Sequence, residues 1–174
     1  TVDAVTKKKY TQSFHKNMTV IDKPVIKKCT AKPYTKISWI TDFQRFGIEK
    51  LSDDMVAFMK RRIYDIAGIT DNKVSVFYND EKIKIKSFND YINLYQGNKK
   101  TYEKLSERWE LAVAVSTNDK FEQISFVNGI ATPKGGVHVD VVSKMLTCEV
   151  VEYIEEKHKE EVPEKDVKNY LSIY

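Results

Sequence analysis

A change in hydrophobic spacing near residue 52 is the feature that most constrains how this chain folds. Before that point the apolar residues alternate with polar ones in two runs: Tyr10, Phe14 and Met18, then Ile37, Trp39 and Phe43. Alternation of this kind is typical of half-buried strands. After that point, "LSDDMVAFMKRRIYDIAGI" repeats every three or four residues, which predicts a helix. The chain is therefore expected to begin as a small antiparallel meander and to continue into a helix.

The predicted helix has clear end signals. Ser52 suits the N-cap, and Asp53 and Asp54 fall in the first turn, where the helix dipole favours negative charge. Gly68 stands where a helix commonly ends in the left-handed conformation. One stripe of the helix is apolar and is expected to face a core. Its members are Met55, Phe58, Met59, Ile63 and Ile66.

Two hairpins are predicted further along the chain. The first turns at Asn79-Asp80 and places Lys82, Lys84 and Lys86 on a solvated face. The second joins "RWELAVAVST" to "FEQISFVNG". Between the hairpins, "SFNDYINLY" predicts a short helix ended by Gly97, and the polar residues 97–107 indicate a mobile loop.

Helical spacing returns after the second hairpin. A long helix is predicted from about His138, and "PEKDVKNYLSIY" reads as a further helix that is still running at Tyr174. That ending on apolar residues suggests a fragment of a longer protein. The order of elements indicates an α+β fold, with helices on one face of an antiparallel or mixed sheet.

Composition excludes several classes of protein and leaves one question open. The 174 residues contain no apolar stretch near the length that spans a bilayer, so no membrane partner is expected. The two cysteines are far apart, which favours a reducing compartment. Residues 1–50 carry eleven Lys or Arg against four Asp or Glu. This excess fits either a polyanion partner or a solvated basic edge.

No catalytic centre is visible in the sequence. The three histidines have no second ligand at metal spacing, and no nucleophile elbow is present. The segment "PKGG" lacks the GxxxxGK[ST] and GxGxxG patterns that bind phosphates. Free amides at a helix start attract anions, but a structural turn into the helix is the favoured interpretation. We likewise expect His138 to have a structural role, as a packed or capping residue.

Several blocks in order resemble one family. The segments "FVNGIATPKGGVHVD", "DDMVAFMKRRIYDIAG", "KVSVFYNDEKIKIKSF", "RWELAVAV" and "QISFVNGIAT" are similar to eukaryotic-type DNA topoisomerase II, over essentially the whole chain. The resemblance implies that residues 1–43 are the last strands of a GHKL ATPase domain. Residues 44–174 then form the transducer domain, similar to domain 2 of ribosomal protein S5, with its C-terminal helix truncated.

The resemblance also implies a function for the parent enzyme. In this family an ATP-hydrolysing homodimer binds ATP with Mg²⁺ and closes an entry gate on double-stranded DNA, and the transducer couples nucleotide state to duplex passage. The family's catalytic Glu and ATP lid lie upstream of Thr1, and its Gln-Thr-Lys loop lies downstream of Tyr174. The fragment is therefore expected to hold no catalytic, ATP-binding or metal residue and to bind no cofactor. A nuclear location is implied, with an organelle or a viral factory as alternatives.

Two groups of residues are the candidate sites. Asn128, Gly135, Gly136 and His138 form a candidate coupling loop, a joint before the long helix. Lys157 and Lys159 match the position of a DNA-contacting lysine run in relatives, but Glu155, Glu156, Glu160 and Glu161 flank them. The acids weaken phosphate attraction, so a solvated helix end stays open. The alternative function is a stand-alone S5-like nucleic-acid-binding module without enzyme activity.

Overall fold

The computed structural model describes residues 1–97 and 99–174, and the chain divides into two compact units, 1–52 and 53–174. The boundary follows Ser52, where the hydrophobic spacing changes. Assigning the parts of the chain to an ATPase domain and a transducer domain stays a prediction.

The first unit is built from two nested antiparallel pairs of strands. The strands are β1 (Lys8–Thr11), β2 (Phe14–His15), β3 (Val20–Ile21) and β4 (Val25–Lys28). β1 pairs with β4, and β2 pairs with β3 inside them. The predicted meander is wrong in this respect, because β1 skips its neighbour in sequence. Lys16, Asn17 and Met18 all have positive φ and reverse the chain between β2 and β3, which brings β4 back to β1.

The strand expected around Ile37, Trp39 and Phe43 is absent from the described residues. Trp39 is 76% exposed and Ile40 is 96% exposed. A single 3₁₀ turn, Gln44–Phe46, follows. Within residues 1–52, Val2 is the one buried residue. Alternation specifies two faces, but a strand also needs a neighbour to pair with. Residues 35–43 have none among the residues that the structure describes.

The second unit contains a mixed four-stranded sheet with helices packed on it, and the predicted α+β class is confirmed. Its helices are α1 (Asp53–Ile69), α2 (Phe88–Gln96), α3 (Val137–His158) and α4 (Glu164–Asn169). Its strands are β5 (Phe77–Tyr78), β6 (Glu81–Lys82), β7 (Thr101–Ser106), β8 (Trp109–Val115), β9 (Glu122–Gln123), β10 (Phe126–Val127), β11 (Ile130–Ala131) and β12 (Leu171–Ile173). The sheet has the order β7-β8-β12-β9, and β12 is antiparallel to β8 and parallel to β9.

Local signals are confirmed for three helices and one turn. α1, α2 and α3 form where the spacing predicts them. Ser87 caps α2 by accepting a hydrogen bond of 3.1 Å from the Asp90 amide, and Gly97 ends the helix. Asn79 and Asp80 both have positive φ and turn β5 into β6. These features depend on residues close together in sequence.

Residues 101–106 form a strand, so the loop predicted over 97–107 is wrong for that part; Asn98 lies outside the described residues. β7 pairs antiparallel with β8, as at Tyr102 opposite Ala112. β7 is an edge strand and is largely exposed. Its side chains can therefore be polar on both faces. The strand is defined by its backbone hydrogen bonds, so its sequence shows no hydrophobic alternation.

The second predicted hairpin is wrong, and the final helix is confirmed only for Glu164–Asn169; its predicted continuation to Tyr174 is wrong for the same reason. α4 ends at Asn169, and β12 inserts between β8 and β9, which prevents those two strands from pairing. The Ala112 and Tyr174 backbones exchange two hydrogen bonds of 2.9 Å. Ser172 is fully buried and Ile173 is 3% exposed in this central position. Three residues are too few to show a strand period, so "LSI" joins the preceding helical pattern when only sequence is used.

On β8 and on α1, the face that is buried is not the face that carries the large apolar side chains. On β8, Ala112 and Ala114 are buried, whereas Val115 is 72% exposed. The small side chains let α2 approach the sheet, and Tyr91, Ile92, Ala112 and Tyr174 form the core. On α1 the predicted apolar stripe is wrong as a buried face, since Phe58 is 73% exposed. The buried residues of this helix are Asp65, Ala67 and Gly68.

Candidate functional site

The candidate coupling loop begins with a two-residue hairpin turn. Asn128 (φ 50°) and Gly129 (φ 80°) connect β10 to β11. Two successive residues with positive φ explain the Asn-Gly pair, because this turn follows the twist of the strands. The Gly129 carbonyl accepts a hydrogen bond of 2.7 Å from Arg62 Nη2, on α1. The turn is thus held by a helix far away in sequence.

The glycines of "PKGG" are required by the backbone. Gly135 has φ 71° and donates its amide to the Thr132 carbonyl at 2.8 Å. Gly136 has φ 149° and is the N-cap of α3, where its carbonyl accepts hydrogen bonds from Val139 and Asp140. A Cβ at Gly136 would lie 3.2 Å from His138 Cε1. The loop therefore enters α3 through a conformation that side chains disfavour.

His138 lies in a cluster of polar side chains under this loop. Its Nε2 is 3.2 Å from Ser125 Oγ and 3.3 Å from Thr132 Oγ1. Gln123 Nε2 donates to the carbonyls of Thr132 and Pro133, both at 3.0 Å. These hydrogen bonds hold the loop against β9 and against Ser125, which follows β9 in the chain.

The Ser125–His138 contact does not have the arrangement of a nucleophile and its base. Ser125 Oγ donates its hydrogen to Gln123 Oε1 at 2.7 Å. A catalytic serine instead donates to the histidine that activates it. The cluster fixes the loop and the start of α3. Gln123 and Ser125 were not identified from sequence, because contacts across different elements have no fixed spacing.

Arg62 links the Asn128-Gly129 turn to the buried core. Its Nη1 lies 4.0 Å from Asp65 Oδ2, and Asp65 Oδ1 accepts a hydrogen bond of 2.7 Å from the Tyr91 hydroxyl. Burial, with hydrogen bonds to Tyr95 and Asp65, raises the pKa of Tyr91 above its ordinary value. Tyr91 is therefore a stable neutral donor to Asp65. Arg62 is a second residue that the sequence did not reveal.

The two candidate DNA-contacting lysines lie at the opposite end of α3. Lys157 Nζ sits 5.0 Å from the centre of the Tyr153 ring, and Lys159 is the C-cap with φ 58°. Both are exposed, as are the four flanking glutamates. α3 has 22 residues and is about 33 Å long, so the structure separates these lysines from His138. The candidate residues form two sites joined by one helix.

The loop already uses several of the groups that could hold a magnesium-bound triphosphate. The amides of Gly135, Val139 and Asp140 are already used within the turn, and the Asp140 carboxylate lies in the first turn of α3. Among residues 1–97 and 99–174, no three His, Cys, Asp or Glu side chains are grouped as metal ligands. The loop instead borders an open cleft of 930 Å³, lined in part by Trp109, Phe126 and His138. In the described part of the chain, no helix has the length and apolar character of a membrane span.

Comparison with known proteins assigns the fold. The sequence profile of the DNA gyrase B family matches residues 68–174, which is more than half of the chain. The ATPase region of Saccharomyces cerevisiae topoisomerase II, in complex with ICRF-187 (dexrazoxane), superposes with a TM-score of 0.89 at 34% identity. That match covers 99% of this chain and 45% of the yeast chain. The ATPase and transducer domains of Balamuthia mandrillaris topoisomerase II give a TM-score of 0.86 at 28% identity, with 99% and 46% covered.

The fold, a mixed sheet with helices packed on it, is thus the fold of this region of type II topoisomerases. The chain belongs to the DNA gyrase B family. Within it, the chain is a segment of the eukaryotic topoisomerase 2 type. It is 40% identical to DNA topoisomerase 2 of Arabidopsis thaliana over 186 residues, with 100% of this chain and 13% of that protein covered. The probable DNA topoisomerase 2 of Dictyostelium discoideum is 41% identical over 180 residues, with 99% and 12% covered.

Proposed function

We propose that this chain couples ATP binding and hydrolysis, and the closure of a dimeric DNA entry gate, to the passage of a DNA duplex. The observation that carries the proposal is the match of nearly the whole chain to topoisomerase II ATPase regions. The parent would be an ATP- and Mg²⁺-dependent homodimer acting on double-stranded DNA in the nucleus. The bound nucleotide supplies the free energy that drives gate closure there. In this chain the residues would transmit motion and would not contact the nucleotide.

The joint at the start of α3 supports this role. Hydrogen bonds from Gln123 and Arg62 fix the segment before α3, while Gly135 and Gly136 form the connection itself. A long helix that leaves a fixed turn moves its far end by several ångströms when the turn rotates slightly. α3 would carry such a rotation from the loop to Lys157 and Lys159, about 33 Å away.

Replacing Gly135 and Gly136 with Val in the parent enzyme should uncouple ATP hydrolysis from strand passage. Val is strained at φ 71° and 149°, so the loop must change conformation and α3 must be repositioned. We expect plasmid relaxation to fall at least about tenfold, a barrier change of about 1.4 kcal/mol, while ATP turnover without DNA is retained. Both rates are measured on the same preparation.

Gly97→Val is the matched control for this experiment. Gly97 also has positive φ (56°), and no atom lies within 4 Å of a Cβ there. It introduces similar backbone strain away from the joint. Unchanged relaxation in the Gly135 and Gly136 variant, or an equal loss in the Gly97 variant, would contradict the coupling role.

We further propose that Lys157 and Lys159 contact DNA phosphates. Both ammonium groups are exposed at the end of α3. Replacing both with Gln should reduce the slope of log affinity against log salt by up to about 2, because each phosphate contact contributes about 0.9. The measurement is DNA binding across a salt series, with Glu155→Gln and Glu156→Gln as the opposite charge change. An unaltered slope in the lysine variant would show that this helix end is only solvated.

A further inference from the structure

Four lysines face each other across β1 and β4. Lys8 is directly opposite Lys28, and Lys9 is directly opposite Lys27. We call these four residues the lysine ribbon. All four are exposed. Opposed residues in an antiparallel pair have Cα atoms about 4.5 to 5.5 Å apart, and like charges there destabilise the pairing. The ribbon thus carries two adjacent repulsive pairs.

Three of the four carboxylates of the first unit have partners outside the lysine ribbon. Asp3 accepts hydrogen bonds from Thr6 and Val5, which hold the pKa of its carboxyl below the ordinary value. Asp22 lies 2.9 Å from His15 Nε2, and Asp42 accepts from Asn17 at 2.8 Å. Within the described residues, the lysine ribbon forms no ion pair. Its four charges are available to an external anion.

Charge is also divided unevenly between the two units. Residues 1–52 contain eleven Lys or Arg against four Asp or Glu, whereas the chain as a whole carries a net charge of only +4. Residues 53–174 are therefore net acidic. A polyanion would be attracted to the first unit and repelled on average by the second. The lysine ribbon is the densest part of that basic unit.

The geometry of the ribbon favours a closely spaced row of anions. Successive rungs point to opposite faces, so one end of the ribbon presents two ammonium groups on each side. Duplex DNA carries one phosphate per about 1.7 Å of helix axis, a density that can neutralise all four lysines together. Carboxylates on a folded acidic protein are seldom so dense. Duplex DNA is the partner that fits best.

We propose that the lysine ribbon of the first unit binds the phosphate backbone of duplex DNA. The choice of DNA as the polyanion rests on the proposed function. The four ammonium groups contact phosphates without reading the base sequence. DNA binding removes the repulsion within both lysine pairs.

The test compares two variants of the complete ATPase and transducer region of the parent enzyme, in which the first unit would have the rest of its domain. The two variants have the same net charge. One replaces the lysine ribbon with Gln. The other replaces four exposed lysines of the same unit that lie off the ribbon with Gln: Lys16, Lys23, Lys32 and Lys36. Affinity for a fluorescently labelled duplex is measured by anisotropy over a salt series. We expect the ribbon variant to bind at least about tenfold more weakly at 0.1 M salt and to lose about 3 to 4 units of salt slope. The control should lose less than about 1 unit.

Two further measurements make the outcome decisive. Replacing the same four lysines with Arg should retain the affinity, because Arg keeps the charge. Equal losses in the ribbon and control variants would overturn the proposal, since charge alone would then explain binding. Tighter binding to poly-glutamate than to the duplex would overturn it in favour of an acidic protein partner. Relaxation and ATPase assays test the coupling role independently, so failure here leaves that proposal standing.

Discussion

Replacing Gly68 with Ala lowers the free energy of unfolding of residues 53–174 by about 2 kcal/mol. A Cβ built at Gly68 lies 2.6 Å from both Cβ and Cγ of Tyr91. Tyr91 is 1% exposed, and its Cβ is fixed to the α2 backbone, so no rotamer change relieves the contact. α1 and α2 must move apart. That separation also lengthens the Tyr91–Asp65 hydrogen bond of 2.7 Å.

The sign of this change makes it a sharp test. In an exposed helical position, Gly to Ala stabilises by about 0.5 to 1 kcal/mol. Ala57, exposed on the same helix, provides the control: Ala57→Gly should destabilise by that smaller amount. Urea unfolding measures both variants. A Gly68→Ala protein that is as stable as the parent chain, or more stable, would show that α1 and α2 do not pack this closely.

The second large effect concerns the two units when they are separated. Residues 53–174 alone should unfold cooperatively, whereas residues 1–52 alone should show no cooperative transition. The first unit buries only Val2, yet ordering its backbone costs about 1 to 2 kcal/mol per residue. The second unit has a core around Tyr91 and Ile92. We infer that residues 1–52 complete a larger domain, as an ATPase domain would require.

The two tryptophans report on the units separately. Trp39 is the one Trp of residues 1–52, and Trp109 is the one Trp of residues 53–174. In the intact chain, Trp39→Phe leaves fluorescence from the second unit, and Trp109→Phe leaves fluorescence from the first. We expect a sigmoidal urea transition from Trp109 and a shallow drift from Trp39. A sigmoidal transition for isolated residues 1–52 would contradict the inference.

The backbone of the candidate coupling loop explains several of its residue types. Asn128, Gly135 and Gly136 have the positive φ values that explain their residue types. Their roles in coupling stay predictions, as do the contacts of Lys157 and Lys159 with DNA. Gln123, Ser125 and Arg62 were missed, although they hold the loop by hydrogen bonds. These partners come from other elements, and nothing in the spacing of a single chain brings them together.

The sequence by itself determined the local structure of this protein. The spacing of apolar residues and the capping residues predicted α1, α2 and α3, and paired turn residues predicted the reversal at Asn79-Asp80. Such features depend on interactions between residues only a few positions apart. In these elements the local preferences of the residues agree with the final fold.

The tertiary structure alone decided which elements meet and which faces are buried. It inserted β12 between β8 and β9, paired β7 at the edge, and buried Ala112 while Val115 stayed exposed. It also placed Gly68 inside α1, against Tyr91, where a helix end had been expected. Nearly every residue has the same backbone donor and acceptor, so strand pairing is not specified by residue type. Close packing depends on the shape and size of a side chain as well as on its hydrophobicity. For that reason the small Ala112 is buried in the core while the larger Val115 is exposed.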